Sequence, residues 1–572
     1  MRNLEIAEIF REIARILEIK GDNVFRIRAY ERAAQNIEST TEDIAEFIKR
    51  DNLTDIPGIG KDLAEKIKEF HKTGKLKFLR DLKKTIPEGL LQILNIPSVG
   101  PKTTKLLYDK LKIKSILDLE LAIKKKRLDG IFGIKDKTIE NIQKGIELVK
   151  KGKERMSLAT AMEIAGYFTS ALRKIQEVKK ISVAGSLRRM KETVKDIDIL
   201  IVSNHPKKIM NTFTKLPPAK RILATGETKS SVLTKDDVQV DVRVVGEKEF
   251  GAALLYFTGS KNFNVKLRQI AQRRKQKISE YGVFSVRTAK DKYLAGKTEE
   301  EIFKLLKLDY IEPELREDTG EIELASEHKL PNLIEITDIK GDLHTHSTYS
   351  DGESSIQDMA QAAIEKGYRY IAITDHSQSL RVANGMSIDD LKKKKSEIEK
   401  LNKIFKDFTI LYGTEVDIDS EGNLDYNDNV LAEFDVVVAA VHTGFKQSKT
   451  QLTKRIVSAC KNKHVDIIAH PTGRLWGTRD PYDLDFDEIL KVAKETGTFL
   501  EINAFPNRLD LNDIHARAAK EKGVKLAIGT DSHSFEHLNG MKFGIAVARR
   551  GWLEKSDIVN TLDIENLLKI KK

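Results

Sequence analysis

Five times after residue 370, an apolar run short enough for a strand ends on side chains that bind metals or move protons: Ala372-Ile-Thr-Asp375-His376, Tyr412-Gly-Thr-Glu415, Ala440-Val-His442, Ile468-Ala-His470 and Gly529-Thr-Asp531-Ser-His533. Helical segments separate these runs. Polar groups at the C-terminal ends of strands in a βα repeat predict an α/β, barrel-like domain with one mouth. The run Gly341-Asp-Leu-His344-Thr-His346, with Asp351 five positions on, joins the same set. His344, His346, His376, His442, His470 and His533 would converge there with Asp351, Glu415 and Asp531. Mixed imidazole and carboxylate ligands suit Mn²⁺, Zn²⁺ or Fe²⁺ better than Mg²⁺ alone. One ion cannot use all nine, so several are expected.

The remainder of the chain has a different character. At 572 residues it exceeds what one hydrophobic core serves, so several domains are expected. Overall net charge is +12, but from Lys340 onward 33 Lys and Arg face 36 Asp and Glu, leaving +15 on residues 1–339. Nine of the twelve histidines lie after residue 340. The basic N-terminal part is therefore the expected polyanion binder, and the histidine-rich part a separate machine. Hydrophobic residues at 40% and charged residues at 33% exclude wholesale disorder. The single cysteine, Cys460, excludes an internal disulfide framework and predicts a reducing, cytoplasmic location. No membrane-spanning run is seen; the N-terminal stretch is amphipathic, with Ile6, Ile9, Phe10, Ile13 and Ile16 on one face.

Within the basic part, Ile56-Pro-Gly-Ile-Gly60 is echoed 40 residues later by Ile96-Pro-Ser-Val-Gly100, with a weaker third copy at Phe132-Gly133-Ile134-Lys135. Each opens a lysine-bearing helical stretch. Such turns present backbone N–H groups and the positive helix end to a phosphate, which makes Gly58, Gly60, Gly100 and Lys102 candidate DNA contacts. These turns resemble helix-hairpin-helix motifs. Together with Phe25-Arg-Ile-Arg-Ala-Tyr30 and Lys61-Asp-Leu-Ala-Glu-Lys66, the first is similar to the N-terminal domain of family X DNA polymerases. That resemblance implies a 5′-deoxyribose phosphate lyase role for Lys66, through a Schiff base, with Tyr30 nearby. Asp62 stands where the family motif has a lysine, a departure that bears on this role.

Alternation around Lys195-Asp196-Ile-Asp198-Ile-Leu-Ile-Val202 reads as a strand with both carboxylates on one side. A second strand, Val238-Gln-Val-Asp241-Val-Arg-Val-Val245, offers a third acid. Three acids on neighbouring strands make a hard-oxygen site for two Mg²⁺ ions, with Asp241 the candidate for helping to activate a primer 3′-OH. Upstream, Gly185 lets backbone approach a triphosphate, while Ser186 and Arg189 can bind its oxygens. This is the nucleotidyltransferase pattern. The run from Tyr256 to Arg268 resembles the nucleotide-binding segment of DNA polymerase beta and its relatives. By that resemblance Tyr256 and Phe257 flank the incoming sugar, Gly259 belongs to the same nucleotide-binding set, Asn264 reads a base edge and Arg268 reaches the template side. Lys261 and Lys195 depart from the acidic residue and the glycine of the animal enzyme. The basic stretch Val265 to Lys277 is expected to be a helix that holds DNA.

The nine C-terminal ligands resemble those of the polymerase and histidinol phosphatase (PHP) family, which implies a distorted seven-stranded barrel, up to three metal ions and phosphoester hydrolysis. Arg474 and Asn503 are candidate phosphate or supporting contacts. The whole chain is thus expected to be multidomain: helical helix-hairpin-helix domains over 1–82 and 83–151, an α+β nucleotidyltransferase palm over 152–245, a nucleotide-binding subdomain over 246–315, a linker at 316–339 and an α/β PHP barrel over 340–572. The acidic, proline-bearing stretch 312–340 is expected to tether the PHP domain loosely enough for it to change position. The implied activities are gap-filling DNA synthesis in repair and Mn²⁺-dependent 3′ to 5′ exonuclease, with 3′-phosphatase or abasic-site endonuclease as further possibilities. Gapped or nicked duplex DNA and deoxynucleoside triphosphates are the expected partners of a monomer. Two rival readings are a small-molecule phosphatase fused to a polymerase, and a DNA-end scaffold with incidental catalysis.

Overall fold

The computed structural model describes residues 3–570 other than 39–43, 57, 95, 97–98, 130, 132–133, 135–137, 141, 144, 148–154 and 287–291. The chain divides into two units, residues 1–153 and 154–572. Two cores occupy the first. The amphipathic helix Asn3–Lys20 buries Ile6, Phe10, Ile13 and Ile16 against helices Val24–Glu38 and Lys61–Thr73. Leu90, Ile93, Leu107, Leu119 and Ile123 form a second centre among helices Glu88–Leu94, Pro101–Leu111 and Ile116–Lys124. Gly60 and Gly100 each stand at the N-cap of the helix that follows, with no side-chain cap. Gly58 takes φ +81°, a left-handed conformation that an L side chain resists. Of the third copy, Phe132, Gly133 and Lys135 lie outside the described residues.

The second unit opens with a five-stranded sheet in the order Lys180–Val183, Asp196–Val202, Gln239–Val245, Lys229–Thr234 and Ala219–Thr225. Asp196–Val202 and Gln239–Val245 pair in parallel. Their alternate residues Ile197, Ile199, Ile201, Val240, Val242 and Val244 point into a core closed by Phe168 and Phe213, whose helices cover that face and leave the acids on the other. A nucleotide-binding subdomain follows, with helices Phe250–Thr258 and Lys261–Arg273, three short antiparallel strands and helix Glu299–Leu305. The basic stretch expected to be helical through Lys277 stops at Arg273: Lys275 has φ +58°, and Lys277 lies on the strand Gln276–Ser279. Arg188 of the palm and Arg316 clasp Glu299, at 2.7 and 2.6 Å. Burial pushes the Glu299 carboxyl up, but Arg316 and Arg188 reverse this and hold it at about 2. An ion triad this deep fixes orientation more than it adds stability, because desolvation offsets much of the attraction.

The expected linker is a packed segment instead. Residues 313–338 carry helix Glu321–Ser326 and two single 3₁₀ turns. Leu315, Ile322, Ala325 and Leu333 join the core of the nucleotide-binding subdomain together with Trp552, and Arg316 is fully buried. The acids and prolines that read as a tether are spaced between these apolar anchors, and Glu314 pairs with Arg549 at 2.7 Å.

From Gly341 to Gly529 seven parallel strands follow one another in strict chain order. A parallel bridge between Thr345 and Ser532 links the first strand to the residues after the last and nearly closes a barrel. Runs such as Val436–Ala440 are buried along their whole length, which is why they read as continuous apolar sequence. Among the described residues no helix is long and apolar enough to cross a membrane.

Candidate active sites

The parallel register sets Asp198 directly beside Asp241, with Asp196 two residues before on the same face. Ala184 donates its N–H to the Asp198 carbonyl at 2.8 Å, bringing the Gly185 turn against the acids. Gly185 has φ +64°, and a Cβ there would lie 2.4 Å from Asp198 Oδ2. Only glycine fits both demands. Burial raises the Asp198 carboxyl to about 6, helped by the charges of Asp196 and Asp241. Like charges gathered at this spacing call for a compensating cation, and the all-oxygen donor set suits a hard one. Two cations missed in the sequence flank it. Lys229 reaches Asp241 at 3.3 Å, and the Arg243 guanidinium lies 4.5 Å from the centre of the Phe257 ring.

Tyr256 and Phe257 meet edge to face at 5.1 Å, and Tyr256 is partly exposed. Asn264 donates to the Tyr256 carbonyl at 2.7 Å, and Arg268 Nε to the Asn264 carbonyl at 3.2 Å, so both are held in place beside the aromatic pair. Gly259, at φ +72°, leaves room for Arg189, whose Nη1 would be 3.1 Å from a Cβ there. Arg189 binds the Thr258 carbonyl and Glu317. In the N-terminal unit, Lys66 is tied to Asp62 at 2.5 Å and sits over Phe78. The departure at Asp62 thus occupies the amine that a Schiff-base role requires to be free.

All nine predicted PHP-domain ligands gather at one end of the barrel. Donor atoms of eight of them fall into three overlapping groups that could each hold an ion: His346, Asp351, His376 and His533; His344, His346 and Asp531; His376, Glu415 and His442. His470 Nε2 lies 3.0 Å from Glu415 Oε1. Burial with neighbouring His533 and His376 lowers His346 to about 4, and burial with Arg508 lowers His470 to about 3. Both stay neutral, as a ligand must. Their Nδ1 atoms are buried without a hydrogen-bond partner among the described residues, which metal coordination within the same cluster would explain. His470 and Asp531 are held at φ +28° and +52°, strained conformations of the kind that collect at functional sites.

Several supporting residues escaped the sequence reading. Glu501 accepts from His344 Nδ1 at 2.6 Å and from the His470 N–H at 2.7 Å, while Asp417 accepts from His442 Nδ1 at 2.5 Å. Glu501 interrupts an apolar strand, Phe499–Asn503, and so carried the signal that singled out the ligands. Carboxylates of this kind set the tautomer and aim of a metal-binding imidazole. Glu501→Gln is expected to weaken Mn²⁺ binding about 10- to 100-fold, as read by calorimetric titration; unchanged affinity would remove Glu501 from the site. Asp375 is not a ligand. It pairs with the buried Lys394 at 2.8 Å and accepts from Ser347 and Ser350, fastening the loop between His346 and Asp351. Asn503 donates to Glu501 and Asp531, as a supporting contact. Arg474 turns away, bound to the Arg508 carbonyl and to Glu192 at 2.9 Å. The cation at the cluster is Arg508, 3.1 Å from Asp531.

Four family models match: Helix-hairpin-helix domain over residues 1–76, SAM-like Helix-hairpin-helix tandem over 90–147, DNA polymerase beta thumb over 253–317 and PHP domain over 342–505. The DNA polymerase/3′-5′ exonuclease PolX of Bacillus subtilis (strain 168) is 42% identical across the whole of both chains. The chain belongs to the family X DNA polymerases. This family X polymerase also carries a PHP domain. Its PHP part is also 33% identical to a probable phosphatase of Thermoanaerobacter sp. (strain X514), over 40% of this chain and 95% of the other. Rat DNA polymerase lambda is 25% identical over 55% of this chain and 56% of its own length.

Proposed function

We propose that the protein fills short gaps in DNA during repair and trims 3′ ends with its PHP domain. The observation that carries this reading is the presence, in one chain, of a strand-borne acid triad and of nine imidazole and carboxylate side chains gathered at one end of a barrel, eight of them in groups able to hold an ion. Divalent cations, when bound, supply Lewis acidity at both sites: Mg²⁺ at the acids, and up to three Mn²⁺ or Zn²⁺ ions at the PHP cluster. Asp241, beside Lys229, takes up the primer 3′-hydroxyl side, while Ser186 and Arg189 receive the triphosphate. Tyr256 and Phe257 close over the sugar.

In the N-terminal unit, no atom of the described residues beyond their chain neighbours lies within 4 Å of where a Cβ on Gly60 or Gly100 would stand, so backbone phosphate can approach their N–H groups. Gly58 forms the turn, and Lys102 stands exposed on the first turn of its helix. In the PHP domain, Arg508 is placed to meet a phosphate beside the ligands.

The test is a labelled primer on one-nucleotide-gapped and on open-template DNA, with Mn²⁺, with and without deoxynucleotides. Extension is expected to be faster on the gap, and shortening to appear when nucleotides are withheld. Equal rates on the two templates would sink the gap-filling role. The probable-phosphatase relatives favour one added arm, a 3′-phosphate-ended primer against a small phosphate ester; release from the ester alone would move the PHP domain to small substrates.

A further inference from the structure

The polymerase site borrows a support from the PHP domain. Arg550 ends the helix Met541–Arg550, and its side chain is only 4% exposed. Its Nη1 donates to the backbone carbonyl of Arg189 at 2.8 Å and to Glu317 Oε1 at 3.1 Å. Its Nη2 donates to Asp513 at 2.6 Å, which anchors it within the PHP domain. The same Glu317 oxygen accepts from Arg189 Nε at 3.0 Å, and Arg189 Nη1 donates to Thr258, the last residue of helix Phe250–Thr258. Three parts of the chain therefore meet on the Arg550 guanidinium, the palm, the 313–338 segment and the PHP barrel, and Arg189 carries the link on to Thr258. Burial pushes the Glu317 carboxyl up, but Arg189, Arg550 and Lys191 more than reverse this and keep it ionised. Arg189 Nη2 takes no partner among the described residues, and the side chain as a whole is 12% exposed.

We propose that Glu317 and Arg550 are positioning residues for the incoming nucleotide: they hold Arg189 with its spare nitrogen presented to the triphosphate. This rests on Arg189 meeting the triphosphate, as proposed above. The physical reason is pre-organisation. An arginine loses much rotamer freedom when it binds, and a side chain already clamped at two nitrogens has lost it beforehand. The planar fork matters, because it lets one guanidinium face the clamp and the ligand together. Arg550 thereby couples the integrity of the PHP domain to nucleotide affinity without touching nucleotide itself.

The experiment uses the full chain on gapped DNA and separates KM for the deoxynucleotide from kcat in Glu317→Gln, Arg550→Lys and Arg189→Ala. Glu317→Gln keeps the shape and removes the charge, so folding is preserved. Glu317→Gln and Arg550→Lys are expected to raise KM about tenfold, with kcat and Mn²⁺-dependent primer shortening unchanged. A merely structural role would lower kcat and shortening together. If Arg189→Ala raises KM while the other two leave it unchanged or lower it, the positioning role is overturned. If Arg189→Ala leaves KM unchanged, the triphosphate role of Arg189 fails and the proposal falls with it.

Discussion

Asp198→Ala is expected to abolish primer extension, by about 10³-fold or more, while leaving primer shortening intact. Asp198 and Asp241 face each other across adjacent parallel strands, and the Gly185 turn packs against Asp198 so closely that nothing else can fill its place. Loss of that carboxylate removes a ligand that no neighbour can replace. Asp198→Asn, which keeps the volume, should fail equally if the charge is what matters. Single-turnover extension on gapped DNA reads the effect, and near-normal extension by either variant would refute the assignment of the acid triad. A pH dependence accompanies it. The metal-free Asp198 carboxyl sits at about 6, so a proton competes with Mg²⁺ as pH falls through that value. The Mg²⁺ concentration needed for half-maximal extension should therefore rise from pH 7 to pH 5.

His346→Ala is the mirror experiment. His346 contributes to two of the three ligand groups, so its loss damages two ion positions at once. Primer shortening is expected to fall by at least about 10²-fold, with extension unchanged and Mn²⁺ stoichiometry reduced. The barrel should survive, since the backbone bond from the His346 N–H to the Ser532 carbonyl at 2.8 Å remains when the ring is removed. Shortening that persists in His346→Ala would place the nuclease elsewhere. Wild-type end joining by a protein inactivated at both sites would return the chain to the scaffold reading.

Most of both sites was legible because their residues announce themselves locally. Asp196 and Asp198 sit on one side of a period-two run, and most of the candidate PHP ligands lie in or just after an apolar strand, so burial and chemistry were visible within a few residues. The stretch 312–340 misled for the opposite reason. Its acids and prolines are what a tether would carry, and the partners that bury its apolar residues, such as Trp552, lie more than 200 positions away. Arg474 misled similarly: an arginine after a ligand histidine reads as a phosphate contact, yet its guanidinium is spent on Glu192 of the palm.

By itself, then, the sequence pointed to the helix-hairpin-helix, polymerase and PHP parts, to the three acids and nine candidate ligands, and to the glycines that open two helices, since each depends on spacing along one strand or turn. Only the tertiary structure decided what supports them. Glu501 orients His344 from 157 residues away, and Arg550 holds Glu317 from 233. Hydrogen bonds and ion pairs act over a few ångströms in space and take no account of distance along the chain, so no local pattern could have paired them.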